Sequence, residues 1–163
     1  KFENLMILGQ QSDINVCFTE EASIGKIDAD GVVTKTPEMV LCLYTADCTP
    51  VLLADYAHGV IAAAHAGWRG AIRGVLENTL DLMIEKGAVL EHIAAALGPC
   101  IQQPSFEVGA EVREECAAVN AAYARFFDRG KDSRHFQFDL EGLVRFRLEQ
   151  YGVRNITASG KLF

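Results

Sequence analysis

Several classes of protein are disfavoured by what this 163-residue chain lacks. No apolar run reaches the roughly 18 residues that predict a membrane-spanning helix. Basic residues are few, since 15 Lys and Arg stand against 22 Asp and Glu, and the net charge of −7 disfavours binding to nucleic acid or to an anionic membrane. The chain contains no internal repeat and no low-complexity tract. Small-molecule chemistry is therefore the favoured class of function, with no nucleic-acid or membrane partner.

The cysteines form no pattern that predicts disulfides. There are five of them, no Cys-x-x-Cys pair occurs, and no charged-then-apolar signal segment precedes them. They are Cys17, Cys42, Cys48, Cys100 and Cys116. We therefore expect free thiols and a cytoplasmic location. Half of the residues are apolar, so we expect one core and a single domain over residues 1–163.

Short, near-continuous apolar runs predict strands that are covered on both faces. Within the first 35 residues, LMIL and INVCF predict two strands and a loop. The further predicted strands are MVLCLY (39–44), VLLA (51–54), HGVIAAAHA (58–66), HIAAALG (92–98), FQF (136–138) and NITA (155–158).

Periodic apolar stripes predict three helices between these strands. The first helix should begin at Gly70. The second should carry Cys116 on its core-facing side. The third should begin after the N-cap residue Asp139 and end at Gly152. The stripes lie within residues 72–83, 112–126 and 140–151. The pattern predicts an α+β (mixed α/β) domain in which mixed β-sheets pack with helices.

The stretch TADCTPVLLADYAHGVIAAAHAGWRG, residues 45–70, places a thiol and an imidazole at opposite ends of two apolar runs. Pro50 disfavours helix at the residue before it, so Cys48 should lie on a loop that enters a strand. His65 should lie at the end of the following strand, next to small residues that allow close backbone approach. These positions are typical of side chains that point into a cleft.

Two kinds of chemistry suit Cys48 and His65. Thiolate and neutral imidazole are both zinc ligands, and a catalytic zinc site uses three protein ligands and leaves one position for water. Alternatively, His65 lowers the thiol pKa and accepts its proton, while Asp47 or another acid orients the imidazole ring. The residues alone leave both alternatives open. A third, simpler alternative is that Cys48 is a buried cysteine and His65 a hydrogen-bonded structural histidine, neither with a catalytic role.

Other candidate groups lie further along the chain. Arg69 and the predicted helix start at Gly70 together suit a phosphate or carboxylate. Glu107 is a candidate acid or base, since it lies between two apolar residues and needs a partner. Cys100 lies after a Gly-Pro pair and could line the same cleft or pack in the core. We interpret the remaining histidines, His58, His92 and His135, as surface or structural residues.

Four motifs in order, TADCTPVLLAD, HAGWRG, LGPCI and FEVG, resemble the YfiH-like family, also called the laccase-domain or "multicopper polyphenol oxidase" family. The resemblance covers about residues 28–153. It implies a YfiH-like fold and a zinc-dependent purine nucleoside enzyme. Its substrates would be phosphate with adenosine, inosine or methylthioadenosine, or adenosine alone in a deamination. The family's amino-terminal and carboxyl-terminal motifs have no counterpart, so we expect those segments to be missing.

The same resemblance implies a ligand set. The family holds zinc through the histidine of a Gln-x-His-Gly motif, the cysteine of ADC and the histidine of HAGWRG, and Cys48 and His65 match the last two. Gln10 matches the glutamine and is implied in substrate binding, but Ser12 stands where the first histidine is expected. His135 could replace that ligand by folding back.

Three alternatives remain beside the nucleoside enzyme. A zinc-independent Cys-His hydrolase would act on a small amide or ester. A copper-dependent polyphenol oxidase is less expected, since a multicopper site needs many histidines and the chain has 4. A non-catalytic domain that keeps the fold is the third, and Ser12 is the residue that favours it.

Overall fold

A six-stranded mixed sheet forms the centre of the fold in the computed structural model, which describes residues 3–159. Its strand order is β12-β8-β6-β7-β4-β2, and two three-stranded sheets have the orders β3-β1-β5 and β10-β11-β9. The strands are β1 (Leu5–Gly9), β2 (Val16–Phe18), β3 (Ser23–Asp28), β4 (Gly31–Thr34), β5 (Val40–Cys42), β6 (Thr49–Asp55), β7 (Val60–Ala66), β8 (Ala94–Leu97), β9 (Glu107–Gly109), β10 (Phe127–Arg129), β11 (His135–Phe138) and β12 (Asn155–Ala158). The helices are α1 (Trp68–Arg73), α2 (Val75–Glu85), α3 (Ala110–Val119) and α4 (Leu140–Tyr151).

The antiparallel pair of β6 and β7, hereafter the central hairpin, organises the six-stranded sheet. Its register runs from Thr49 opposite Ala66 to Asp55 opposite Val60. Both strands were predicted, but cover on both faces is wrong for β6, whose residues alternate in burial and whose Leu52 is 52% exposed. β7 is buried along nearly its whole length, and α2 packs against it. The hairpin therefore holds the Cys48 and His65 segment at one end and Asp55 at the other.

The amino-terminal region contains more strands than the sequence predicted. Four strands, β1 to β4, replace the expected two, and the β1 pairing with β3 and with β5 is parallel in each case. The expected buried strand at 39–44 is wrong in two respects. It is only the three-residue β5, and Val40 is 56% exposed because β5 is an edge strand.

The helix predicted from Gly70 is two helices. It begins two residues earlier, at Trp68, and is interrupted at Gly74, whose φ of 116° is left-handed. The apolar stripe itself is confirmed, since its members are buried: Ile72, Val75, Leu76, Thr79, Leu80 and Met83. The second predicted helix also divides, into α3 and a 3-10 segment at Ala121–Phe126.

Other local predictions are confirmed. Asp139 caps α4 by accepting a hydrogen bond from the Gly142 N–H at 2.8 Å, and Gly152 ends the helix. Cys116 is fully buried in the core. All five cysteines are free thiols. The mixed α/β class is confirmed, and no helix within residues 3–159 is long and apolar enough to cross a membrane.

Candidate functional site

His65 is held by a buried carboxylate that sequence reasoning missed. Its Nδ1 lies 2.8 Å from Asp30 Oδ1, and its backbone N–H donates to the Asp30 carbonyl at 2.7 Å. Asp30 is fully buried and His65 is 7% exposed. A carboxylate at Nδ1 favours the tautomer in which Nε2 keeps its lone pair and is available to a metal or a proton.

Asp30 also anchors the loop that carries Ser12. Backbone N–H groups of Gln11, Ser12 and Asp13 donate to its two carboxylate oxygens at 2.8–3.1 Å. Ser12 has a φ of 58°, in the left-handed region. One carboxylate therefore joins His65 to the segment that the family resemblance assigns to the first zinc ligand. The only sequence signal for Asp30 was its place in a DADG turn.

Cys48 lies in the bend before β6, as predicted, and its sulfur and the His65 ring both lie close to Gly67. A Cβ atom built on Gly67 would lie 3.1 Å from Cys48 Sγ and 3.9 Å from His65 Cε1, so the glycine leaves room where the two side chains approach. Burial raises the pKa of the Cys48 thiol, and the negative charges of Asp47 and Asp30 raise it further. The net shift is upward, whereas a thiol activated by His65 would have a lowered pKa.

The donor set fits zinc only in part. A thiol and an imidazole oriented by a carboxylate supply two ligands of the expected kind. Within residues 3–159, the one set of three histidine, cysteine or carboxylate donor atoms that lie within 4.8 Å of one another does not include Cys48 or His65. Ser12 has no imidazole, so the described residues lack the histidine that the family resemblance implies at this position.

Arg69 and Gly70 lie on α1, at the same end of the central hairpin. Arg69 is exposed, and its guanidinium stacks over the Trp68 ring at 4.2 Å from the ring centroid. Gly70 is the third residue of α1 rather than its start, and a Cβ there would lie 3.0 Å from the Asp13 carbonyl oxygen. The helix and the Ser12 loop are thus packed against each other.

Gln10 and Asp47 lie near these groups. The Gln10 side chain donates to the Tyr44 carbonyl and accepts from the Tyr44 N–H, both at 2.8 Å, so its amide holds the chain that leads to Cys48. Asp47 is exposed, and its carbonyl accepts a hydrogen bond from Ile101 N–H. The acid that orients the imidazole is Asp30 and not Asp47.

Two of the remaining candidates, Glu107 and His135, lie elsewhere, whereas Cys100 lies beside Thr49. Glu107 pairs with Lys131 Nζ at 2.6 Å, and this hydrogen bond holds the Glu107 pKa below its usual value. Glu107 and His135 line a depression of their own, and His135 Nδ1 lies 2.7 Å from Asp132. His135 is therefore not brought to Cys48 and His65 as a replacement ligand. Cys100 is fully buried, with its sulfur 3.8 Å from the Glu141 carboxylate, which fits a packing role.

Comparison with known sequences identifies relatives of most of the chain. The family model described as multi-copper polyphenol oxidoreductase laccase matches residues 1–161. A purine nucleoside phosphorylase of Rickettsia conorii is 34% identical over 156 residues, which are 96% of this chain and 64% of the relative. Purine nucleoside phosphorylase YfiH of Shigella flexneri is 45% identical over 129 residues, or 78% of this chain and 51% of the relative. The chain therefore spans about half to two thirds of their length.

Solved structures show the same fold. The crystal structure of a Neisseria meningitidis protein of the DUF152 family aligns with a TM-score of 0.88 and 36% identity, covering 98% of this chain and 64% of that one. The hypothetical protein YfiH of Bacillus licheniformis aligns with a TM-score of 0.90 and 23% identity, covering 99% and 65%.

Proposed function

The chain belongs to the multi-copper polyphenol oxidoreductase laccase family, and from the names of its relatives we propose that it acts on purine nucleosides. The proposed reactions are phosphorolysis of adenosine, inosine or methylthioadenosine, and deamination of adenosine. Relatives named purine nucleoside phosphorylase support the substrate class. The observation that carries the proposal is that the Cys48 sulfur and the carboxylate-held His65 ring both lie close to Gly67.

The proton positions at this centre follow from its hydrogen bonds. Asp30 accepts from Nδ1 of His65, which leaves Nε2 of that ring as the basic nitrogen. A zinc ion, when bound, would be held by Cys48 and His65. It would act as a Lewis acid and would lower the pKa of a bound water molecule. The raised pKa keeps Cys48 protonated near neutral pH, so taking up a cation there must release a proton.

Arg69 is the proposed phosphate ligand, together with the backbone N–H of Gly70. Its guanidinium is exposed, and its stacking on Trp68 orders the planar group without using its N–H donors. A phosphate is bound best by such a fork, because two N–H groups can pair with two oxygens. In the proposed site, Gln10 holds the backbone that leads to Cys48. Asp47 places a negative charge near the Cys48 thiol and so raises its pKa.

The Cys-His hydrolase is less well supported by the same centre. A cysteine nucleophile acts as the thiolate, and active cysteines have pKa values below the ordinary one. Burial raises the pKa of Cys48 instead, and the flanking carboxylates add to the effect. The proposed cytoplasmic location agrees with the free thiols of all five cysteines.

Ser12 limits the activity that we expect of this chain. Two protein ligands hold a zinc ion less firmly than three, so turnover by the parent protein should be slow or absent. Ser12→His should restore the third ligand, because the loop is already fixed to the carboxylate that holds His65. Histidine also tolerates the left-handed backbone at this position better than most residues.

The test is release of free base from inosine, adenosine and methylthioadenosine with and without phosphate, followed by chromatography beside ammonia release. Ser12→His protein loaded with zinc should release base only when phosphate is present, or release ammonia from adenosine. Cys48→Ser in the same background is the control and should be inactive. A zinc-loaded Ser12→His protein that oxidises or hydrolyses other substrates, but leaves all three nucleosides intact, would reject the proposal.

A further inference from the structure

We propose that Asp55, His58 and His92 form a second divalent-metal site, which takes an ion of the zinc class at the end of the central hairpin away from Cys48. One donor atom from each of the three lies within 4.8 Å of the other two. Among the described residues no other set of three histidine, cysteine or carboxylate donors is so close. The proposal rests on these side chains alone and is independent of the nucleoside reaction.

The topology brings the three residues together from separate segments. Asp55 is the last residue of β6, His58 lies in the turn to β7, and His92 ends the 3-10 segment Leu90–His92 before β8. The hairpin register and the pairing of β6 with β8 fix these segments side by side. Because β6 has seven residues, the site lies about 20 Å from Cys48 along the strand.

The Asp55 carboxylate is already fixed in position as a candidate oxygen ligand. It is fully buried, and its Oδ2 accepts the Val89 N–H at 2.8 Å and lies 2.7 Å from His58 Nδ1. Burial alone would raise the pKa of Asp55, but the hydrogen bonds from Val89 and His58 outweigh it and hold the pKa below its usual value. The carboxylate is therefore charged and fixed by the backbone.

The two imidazoles are placed as a pair. Their rings stack with centroids 5.4 Å apart and an interplanar angle of 15°. Both histidines are exposed, so their rotamers can adjust and water can reach the ion. Tetrahedral zinc with bonds near 2.1 Å needs donor atoms roughly 3.4 Å apart, so the exposed rings must turn and move closer together for both to bind one cation. The nitrogen and oxygen donors with an open fourth position suit zinc, nickel or copper better than calcium or magnesium.

The experiment measures zinc affinity by chelator competition in Cys48→Ser protein, which lacks the thiol of the first centre. His92→Gln and His58→Gln are introduced separately into that background, and both change exposed side chains. We expect each to weaken zinc binding by about tenfold or more. In histidine side-chain NMR spectra, zinc should shift the His58 and His92 signals.

His135→Gln is the matched control, because His135 is held by Asp132 at 2.7 Å with the same spacing of three residues but lies in no set of three ligands among the described residues. It should bind zinc as the background protein does. The proposal is overturned if the Cys48→Ser protein does not bind zinc, or if His58→Gln and His92→Gln bind it as tightly as His135→Gln.

Discussion

The two ends of the central hairpin each place an aspartate against a histidine, but in different surroundings. At one end, Asp30 and His65 are 35 positions apart in sequence, both are buried, and a thiol lies beside them. At the other end, Asp55 and His58 are three positions apart, and the histidine is exposed beside a second imidazole. Similar pairs therefore support different chemistry, since burial and neighbours decide what the imidazole can do.

The carboxylates of Asp30 and Asp55 also accept hydrogen bonds from backbone N–H groups. Asp30 accepts from three consecutive N–H groups of the Ser12 loop, whereas Asp55 accepts from the N–H groups of His58 and Val89. The first carboxylate joins a loop to a proposed catalytic centre, and the second joins a turn to the segment before β8. The carboxylate that accepts more backbone hydrogen bonds therefore lies where the proposed reaction needs a fixed imidazole ring.

Asp30→Asn is expected to have the largest effect. It replaces a buried charge that accepts four hydrogen bonds, so we expect the free energy of unfolding to fall by about 3 kcal/mol. Urea denaturation measures it. Asp28→Asn is the control, since Asp28 is exposed, and should change stability by less than about 0.5 kcal/mol. Equal small losses in both variants would contradict the anchoring role of Asp30.

Arg69→Ala should remove the response of the protein to phosphate. At a concentration of about ten times its dissociation constant, phosphate should stabilise the parent by about 1.4 kcal/mol and raise its melting temperature. Arg73→Ala is the matched control on α1, since Arg73 is engaged by Glu115 at 2.9 Å, and it should keep the response. If Arg69→Ala responds to phosphate as Arg73→Ala does, Arg69 is not the ligand.

Gly67→Ala should disturb the first end of the hairpin and leave the second unchanged. The added Cβ would meet Cys48 Sγ at 3.1 Å, so we expect a loss of about 1 kcal/mol in stability and weaker zinc binding through Cys48. Thermal unfolding and chelator competition measure these changes. Zinc-dependent shifts of the His58 and His92 NMR signals should stay the same. A variant with parent-like zinc binding through Cys48 would show that Gly67 is not needed for space.

Much of the fold was predictable from local signals. The Asp139 cap, the stripe of α2 and the strands of the central hairpin depend on residues close in sequence, and all are confirmed. The break at Gly74 was missed, because the apolar stripe continues through it and a glycine within a stripe does not by itself predict a left-handed residue.

The site was predictable only in part. Cys48 and His65 stand in recognisable segments, but Asp30 reaches His65 through sheet pairing, and its sequence context indicates only a turn. His58 and His92 were interpreted as surface or structural residues, and both are exposed, but the stacking of their rings was not predicted. Contacts between residues far apart in sequence depend on strand order and register, which composition and periodicity do not determine.

The smallest expected effect concerns pH. The raised pKa of Cys48 means that its alkylation by iodoacetamide should reach half-maximal rate at a higher pH than that of a free cysteine. Because the unfolded chain ionises this thiol at a lower pH than the folded chain does, the folded state loses stability as pH rises above the ordinary thiol pKa. Asp47→Asn removes one negative charge and should lower the midpoint slightly. Peptide-resolved mass spectrometry separates Cys48 from the other thiols, and a midpoint below that of free cysteine would contradict the assignment.

The central claim is that Cys48, His65 and the Ser12 loop form one metal centre from which a third ligand is missing. The direct measurement is zinc affinity, by chelator competition, in His92→Gln protein with and without Ser12→His. The added imidazole should tighten binding by about tenfold to 100-fold. Adding Cys48→Ser should abolish that gain. Equal affinity with serine or histidine at position 12, or a gain that survives the loss of Cys48, would contradict the claim.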